Sequence, residues 1–176
     1  SGQSGEAQAT LVASRTKLPG LHAIGKELVA AEPAVTGVHL NTNSEPGTVI
    51  FGPHTQKLAG QKRLMEEIAG VQFLISPTSF FQTSAAGAAR LVETVLRYVP
   101  AMTGGPILDL YAGVGLFAAP LARRGHRVLA VEENPTAVED GIETLKHNRI
   151  TGCRYLSGKV ETTLKKLARD EQFQIA

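Results

Sequence analysis

Apolar and polar positions change their spacing along this chain, and the spacing predicts its elements. From residue 107 onward, short apolar runs of strand length alternate with longer stretches in which apolar residues recur every three or four positions. Ile107, Leu108 and Leu110 suit a strand buried on both faces, predicted over 107–111. A helix at 116–124, a strand at Arg127–Glu132, a helix at 135–148, a strand near Arg154–Leu156, a helix at 160–169 and an apolar start at Phe173–Ala176 follow. Asn134 before Pro135 marks the clearest helix start, because Asn caps free N–H groups and Pro needs none at the first helical position. Strict alternation of strand and helix predicts a parallel α/β sheet with right-handed crossovers. Upstream, Ala88, Leu91, Val92, Val95 and Leu96 give the stripe of a helix from Ala85 to Tyr98, ended by Pro100 and Gly104-Gly105-Pro106.

Residues 10–76 read as a smaller α/β unit. A strand is predicted at Thr10–Arg15 and a helix at Leu21–Glu32, with Leu21, Ile24, Leu28 and Ala31 inward and Pro33 as the stop. Strands at Val35–Asn41 and Thr48–Phe51 would be joined by the turn-forming segment 41–47, and strands at 64–68 and 71–75 would form a hairpin across Ala69-Gly70. Residues 1–9, small and polar, read as a disordered leader. The expected organisation is a leader over 1–9, a small α/β subdomain over 10–78, and the first half of a larger sheet domain over 79–176. A strand that starts at Phe173 and stops four residues later is expected in a fragment of a longer protein.

Composition narrows the classes. With 176 residues, 43% hydrophobic and 19% charged, the chain suits an ordinary globular protein. It carries neither a membrane-length apolar run nor a signal peptide, so no membrane association and a cytoplasmic location are expected. The single cysteine, Cys153, excludes an internal disulfide framework and a CxxC zinc site, and no metal site is expected. A net charge of +2 permits a nucleic-acid partner without arguing for one.

The candidate chemistry sits where the strand predicted at 107–111 opens into Ala112-Gly-Val-Gly115. Gly113 and Gly115 allow a sharp turn and the close approach of a ligand, and in open α/β sheets ligands lie beyond the carboxyl ends of the strands. Glu132 ends the next strand 19 residues after Gly113, where nucleotide-binding folds place an acid against a ribose diol. Two ligand classes share these features. A dinucleotide fold favours an apolar strand before the glycines, because its pyrophosphate is anionic. Asp109, four residues before Gly113, favours a cationic ligand such as S-adenosylmethionine, which has an ammonium and a sulfonium group.

Three stretches, Ile75-Ser-Pro-Thr-Ser-Phe-Phe-Gln-Thr83, Leu108-Asp-Leu-Tyr-Ala-Gly-Val-Gly-Leu-Phe117 and Val131-Glu-Glu-Asn-Pro-Thr-Ala-Val-Glu139, together with the pieces at 37–41 and 50–52, resemble the RNA (uracil-5-)methyltransferases that form 5-methyluridine in tRNA and rRNA. The resemblance runs from Thr10 onward. It implies an incomplete Rossmann-like class I methyltransferase sheet preceded by a small α/β central subdomain, with S-adenosylmethionine as cofactor and RNA as substrate. Gln82, Tyr111 and Glu132 match family positions that contact the cofactor, at its methionine end, in the glycine loop and at its ribose; Asp109, Gly113 and Gly115 complete the expected set. The family's nucleophilic cysteine and proton-removing base are expected beyond Ala176, so no catalytic residue is assigned within the chain, and Cys153 lies away from the family position. Leu116 and Lys159 stand where the family carries polar or acidic cofactor contacts. Lys57, Lys62, Arg63, Arg123, Arg124 and Arg127 are candidate phosphate contacts, and Phe80 and Phe81 candidate base-stacking residues, although solvated cations and a core plug account for them equally. A monomer is the expected state. Rival readings are a fragment of an NAD-dependent oxidoreductase and a non-catalytic RNA- or cofactor-binding module.

Overall fold

The computed structural model describes residues 1–45, 47–99 and 105–170, the last three as backbone alone. They form two compact units, residues 1–65 with 76–78, and residues 66–75 with 79 onward.

In the first unit β1 (Ala7–Ala13) and β2 (Val35–Thr42) pair in parallel across the helix α1 (Leu21–Ala31), and β3 (His54–Gly60) adds antiparallel to β2. β1 begins at Ala7, inside the stretch expected to be a disordered leader. The Ala7 N–H donates to the Ala34 carbonyl at 2.7 Å and Gln8 stands opposite Gly37, and main-chain pairing of this kind needs no apolar side chains. α1 covers the face bearing Val38, Leu40 and Leu58, packing Leu21, Leu28 and Val29 upon it. Ile24, expected inward, is 51% exposed. Gly25 takes its place, where a Cβ would stand 3.0 Å from that of Leu58, so a larger side chain there would press the helix away from the sheet.

The strand expected at Thr48–Phe51 is not formed. The backbone there is met by side chains instead: Asn41 accepts from Gly52 N–H at 2.7 Å and donates to the Gly52 carbonyl at 2.9 Å, and Asn43 donates to the Val49 carbonyl at 2.7 Å. With its polar groups satisfied in this way the segment is a pinned loop, and the pairing strand starts at His54.

β4 (Leu64–Ile68) and β5 (Val71–Ile75) form the expected hairpin, with Ala69 and Gly70 at positive φ as a two-residue turn requires. Its residues 66–75 belong to the second unit rather than to the first, as expected from sequence. Ile68, Val71, Phe73 and Ile75 enter the same core as Ala88, Val92 and Leu96 of the helix α2 (Ala85–Tyr98), which Ser84 caps through the Gly87 N–H.

The second unit continues as β6 (Ile107–Leu110), α3 (Ala118–Arg123), β7 (Val128–Glu132), α4 (Pro135–His147), β8 (Cys153–Ser157) and α5 (Val160–Asp170). The three strands lie parallel in the order β6-β7-β8, with Asp109 opposite Ala130 and Glu132 opposite Ser157. Asn134 caps α4 as expected, accepting from Thr136 and Ala137 N–H groups. α4 also holds β5 by its side chains: Asn148 accepts from Gln72 N–H and donates to the Gln72 carbonyl, and Thr144 accepts from Leu74 N–H. Leu110, expected to be buried, is 37% exposed, because among the described residues β6 pairs only with β7. Pro100 to Gly104 and the apolar start at Phe173 lie outside the described residues.

His39 sits in the middle of β2 at 2% exposure, and burial pulls its pKa below the ordinary 6.5. The unfolded chain then binds a proton that the folded unit resists, so stability is complete above pH 6.5 and is lost as pH falls below it. Denaturant midpoints of the first unit, followed by the NMR signals of β2, are expected to drop over that acid range. A His39→Gln variant should flatten the drop.

Candidate functional site

Parallel pairing brings two acids to the carboxyl ends of adjacent strands. Glu132, the last residue of β7, holds the turn after β6: its Oε2 accepts from Gly113 N–H at 2.8 Å, and its Oε1 accepts from Asn134 N–H at 2.8 Å. The β6–β7 ladder runs past the strand itself, with Ala112 N–H donating to the Val131 carbonyl at 3.0 Å, and Gly158 N–H donates to the Glu132 carbonyl at 2.9 Å. Glu132 is thus fixed by backbone on both sides. Its carboxylate still has acceptor capacity, since two oxygens offer about four lone-pair sites and two are used.

Asp109 lies behind the turn. Its Oδ2 accepts from Ala118 N–H at 2.9 Å, supplying the cap that Phe117 at the head of α3 cannot provide. This explains why α3 starts two residues later than its apolar pattern suggests. Burial raises the Asp109 carboxyl from 3.8 to about 6; the Ala118 N–H opposes that rise and the charge of Glu132 adds to it. The two acids therefore share one electrostatic environment.

The two glycines of the turn serve different ends. Gly113 has φ +55°, and a Cβ built there would meet nothing within 4 Å, so the space above it is open. Gly115 has φ +87°, and its Cβ would stand 2.5 Å from the Tyr155 hydroxyl. Tyr155 enters from β8, donates to the Gly113 carbonyl at 3.4 Å, and would collide with a Cβ at Gly141 at 2.1 Å. Gly115, expected with Gly113 to allow a sharp turn and the close approach of a ligand, leaves room for the Tyr155 hydroxyl.

Tyr111 follows β6 at φ +57° and is 65% exposed. Its hydroxyl donates to Glu161 at 2.8 Å, joining the turn after β6 to the start of α5. Gln82, in contrast, stands exposed in the loop between β5 and α2 and makes none of the hydrogen bonds of the turn. Its loop is anchored by Ser79, which donates to Asp140 of α4 at 2.7 Å, and by Phe81, whose ring packs on Phe73 at 5.7 Å. Phe80 is 75% exposed.

Asp109, Gly113, Tyr111 and Glu132 are brought together, Gly115 supports them from below, and Gln82 is held on a separately anchored loop. Asp140, Tyr155 and Glu161 were not foreseen as participants. A signal existed for Asp140, a carboxylate on the helix face that also carries Ala137, Gly141 and Thr144, all buried.

Other candidates are occupied by the fold. Arg123 donates to the Gly70 carbonyl and Arg124 to the Leu96 carbonyl, so both tie elements together. Leu116 is buried in the core, and Lys159 is exposed just before α5. The thiol of Cys153 is pushed up to about 12 by burial and by the charge of Asp109, and stays protonated at neutral pH.

Two outcomes follow. Gly115→Ala should destabilise the chain more than Gly113→Ala, and its cost should fall in a Gly115→Ala/Tyr155→Phe double variant, with a coupling of about 0.5–3 kcal/mol by denaturant titration. Asp109, whose folded pKa lies above its unfolded value, makes the chain bind an extra proton when folded, so its contribution to stability should fall as pH rises from about 4 to about 6. Asp109→Asn should remove that slope.

Comparison with known proteins gives the family. The family model for tRNA (uracil-5-)-methyltransferase matches residues 59–174. The chain is 35% identical over 168 residues to an uncharacterized RNA methyltransferase of Gloeobacter violaceus, covering 96% of this chain and 37% of the relative, and 36% identical over 162 residues to one of Thermosynechococcus vestitus, covering 92% and 36%. It therefore spans a little over a third of the length of these relatives. Among solved structures, the Pyrococcus abyssi tRNA (uracil-54, C5)-methyltransferase in complex with S-adenosyl-L-homocysteine superposes with a TM-score of 0.69 at 26% identity, over 88% of this chain and 36% of that one. A SAM-dependent methyltransferase from Agrobacterium tumefaciens, with a TM-score of 0.52 at 15% identity over 77% of this chain and 43% of that one, shares the fold alone. The sheet is that of a Rossmann-like class I methyltransferase, and the chain belongs to the tRNA (uracil-5-)-methyltransferase family.

Proposed function

We propose that this chain is the cofactor-holding portion of an enzyme that transfers a methyl group from S-adenosylmethionine to C5 of a uridine in tRNA or rRNA. The observation that carries the reading is the placement of Glu132 and Asp109 around an open glycine turn. Glu132, whose oxygens accept from the Gly113 and Asn134 amides, has acceptor sites left that would take the ribose hydroxyls. Asp109 lies on the neighbouring strand, half-ionised near pH 6, where a cationic ligand draws it into the charged form. S-adenosylmethionine supplies the electrophilic methyl on its sulfonium; the residues of this chain hold and orient it. In this reading Tyr111 would contribute an aromatic contact from the turn, and Gln82 a neutral amide at the methionine end. The solved relative with S-adenosyl-L-homocysteine supports the cofactor, and the family supports RNA. No helix among the described residues is long and apolar enough to cross a membrane, and we place the enzyme in the cytoplasm beside its RNA.

The reading is tested by calorimetry of the chain with S-adenosylhomocysteine and with NAD. Binding of the first and not the second is expected, and the reverse would overturn it. Glu132→Gln should weaken binding by roughly tenfold or more, the worth of a charge-assisted hydrogen bond. Affinity for S-adenosylmethionine should rise with pH through about 6, as Asp109 ionises, and Asp109→Asn should abolish the rise. With the Cys153 thiol protonated and half-buried, the purified chain should bind cofactor without transferring tritiated methyl groups to uridine-containing RNA. Incorporation above background would contradict this.

A further inference from the structure

A second hollow lies wholly within the first unit, at the start of α1, with a volume of about 400 Å³. That is within the roughly 300–1,000 Å³ of pockets that take small ligands. Its floor is aliphatic, made by Leu40 and Leu58 of the sheet, at 2% and 5% exposure, and by Leu21. Leu18, 39% exposed, stands on its wall.

The rim is polar and set in one orientation. The Nδ1 of His22 lies 3.0 Å from the Leu58 carbonyl, which can only accept, so Nδ1 donates to it. Gln56 Nε2, 3.1 Å from His22 Nε2, is then the donor, and the Gln56 carbonyl oxygen is left as the acceptor of this cavity-lining amide. Lys17 lines the same hollow. Arg15 and Lys26 are near it in sequence without lining it, and the first carboxylate of this stretch is Glu27, in the second turn of α1. Gly20 gives α1 no side-chain cap and its first turn has no acid, so the helix end adds to the positive potential.

An aliphatic lining with an amide and one lysine at the rim suits a flat base with a polar edge, joined to phosphate. We infer that this hollow receives an unpaired nucleotide of the RNA substrate, with its base against Leu18 and Leu21, its edge at Gln56 and a flanking phosphate at Lys17. The inference rests on the reading of the chain as part of an RNA methyltransferase. It gives the first unit a role of its own, in holding a nucleotide other than the one that is methylated.

The test uses the whole chain and a short fluorescein-labelled oligouridylate, alongside the same oligomer with abasic sites, by fluorescence anisotropy. Affinity for S-adenosylhomocysteine is measured in parallel. The abasic oligomer is expected to bind at least about fivefold more weakly, and Gln56→Ala to cost a similar factor. Lys17→Gln should lower the slope of log affinity against log salt by about 0.7, one single-strand phosphate contact. Cofactor affinity should stay unchanged in both variants, and in the unsubstituted chain the side-chain amide protons of Gln56 should shift on titration with the oligomer. Equal affinity for the abasic oligomer, an unmoved Gln56 amide, or no RNA binding by a chain that binds S-adenosylhomocysteine would overturn the inference and leave the cofactor reading standing. Failure of the unsubstituted chain to bind S-adenosylhomocysteine would overturn that reading instead.

Discussion

The in-register parallel pairing of β6 with β7 governs the geometry of this site. With Asp109 opposite Ala130 and Leu110 opposite Val131, the two acids can leave the sheet only in one relation, Asp109 behind the turn and Glu132 at the end of the neighbouring strand. Glu132 then completes the constraint by accepting the Gly113 and Asn134 amides, so one carboxylate sets both the turn after β6 and the start of α4. Charge-assisted hydrogen bonds of this kind are worth about 1.5–3 kcal/mol each when shielded from water. A site built in this way is preorganised by the fold.

Structural roles and the proposed cofactor-holding roles fall on the same residues. Asp109 caps α3, and the burial that makes this cap effective also raises its pKa, which leaves a carboxyl ready to respond to a nearby cation. Tyr155 is held between Gly115 and Gly141 and supports the Gly113 carbonyl from below, so the turn is rigid on its inner side and open above Gly113. Removing a Cβ at two positions permits the tyrosine, and the tyrosine in turn fixes the loop. In the first unit, the His22–Gln56 pair similarly ties α1 to β3 while leaving an acceptor at the rim.

Much of this was legible in the sequence, for identifiable reasons. The parallel unit declared itself because buried strands are continuous apolar runs and helices punctuate them, and Asn134-Pro135 marked the start of α4 to the residue. Asp109, Gly113 and Glu132 could be found because they are adjacent to those runs. Other features depend on contacts that no local pattern carries. Thr48–Phe51 has the composition of a strand, but the side chains of Asn41 and Asn43 take up its backbone. The hairpin is close in sequence to the first unit, yet Thr144 and Asn148, some 70 residues away, bond its edge. Ile24 is exposed while Gly25 faces the sheet, where α1 comes so near to Leu58 that a Cβ would stand 3.0 Å from its Cβ. Tyr155 was invisible because its partners, Gly115 and Gly141, are defined by what they lack.

The most direct measurement of the central claim is the titration of the Asp109 carboxyl by 13C NMR, in the free chain and with S-adenosylmethionine bound. A midpoint of about 6 is expected in the free chain, with a fall toward the ordinary carboxylate range when the sulfonium is present. A free-chain value near 3.8, or a midpoint that does not move on adding the cofactor, would contradict it.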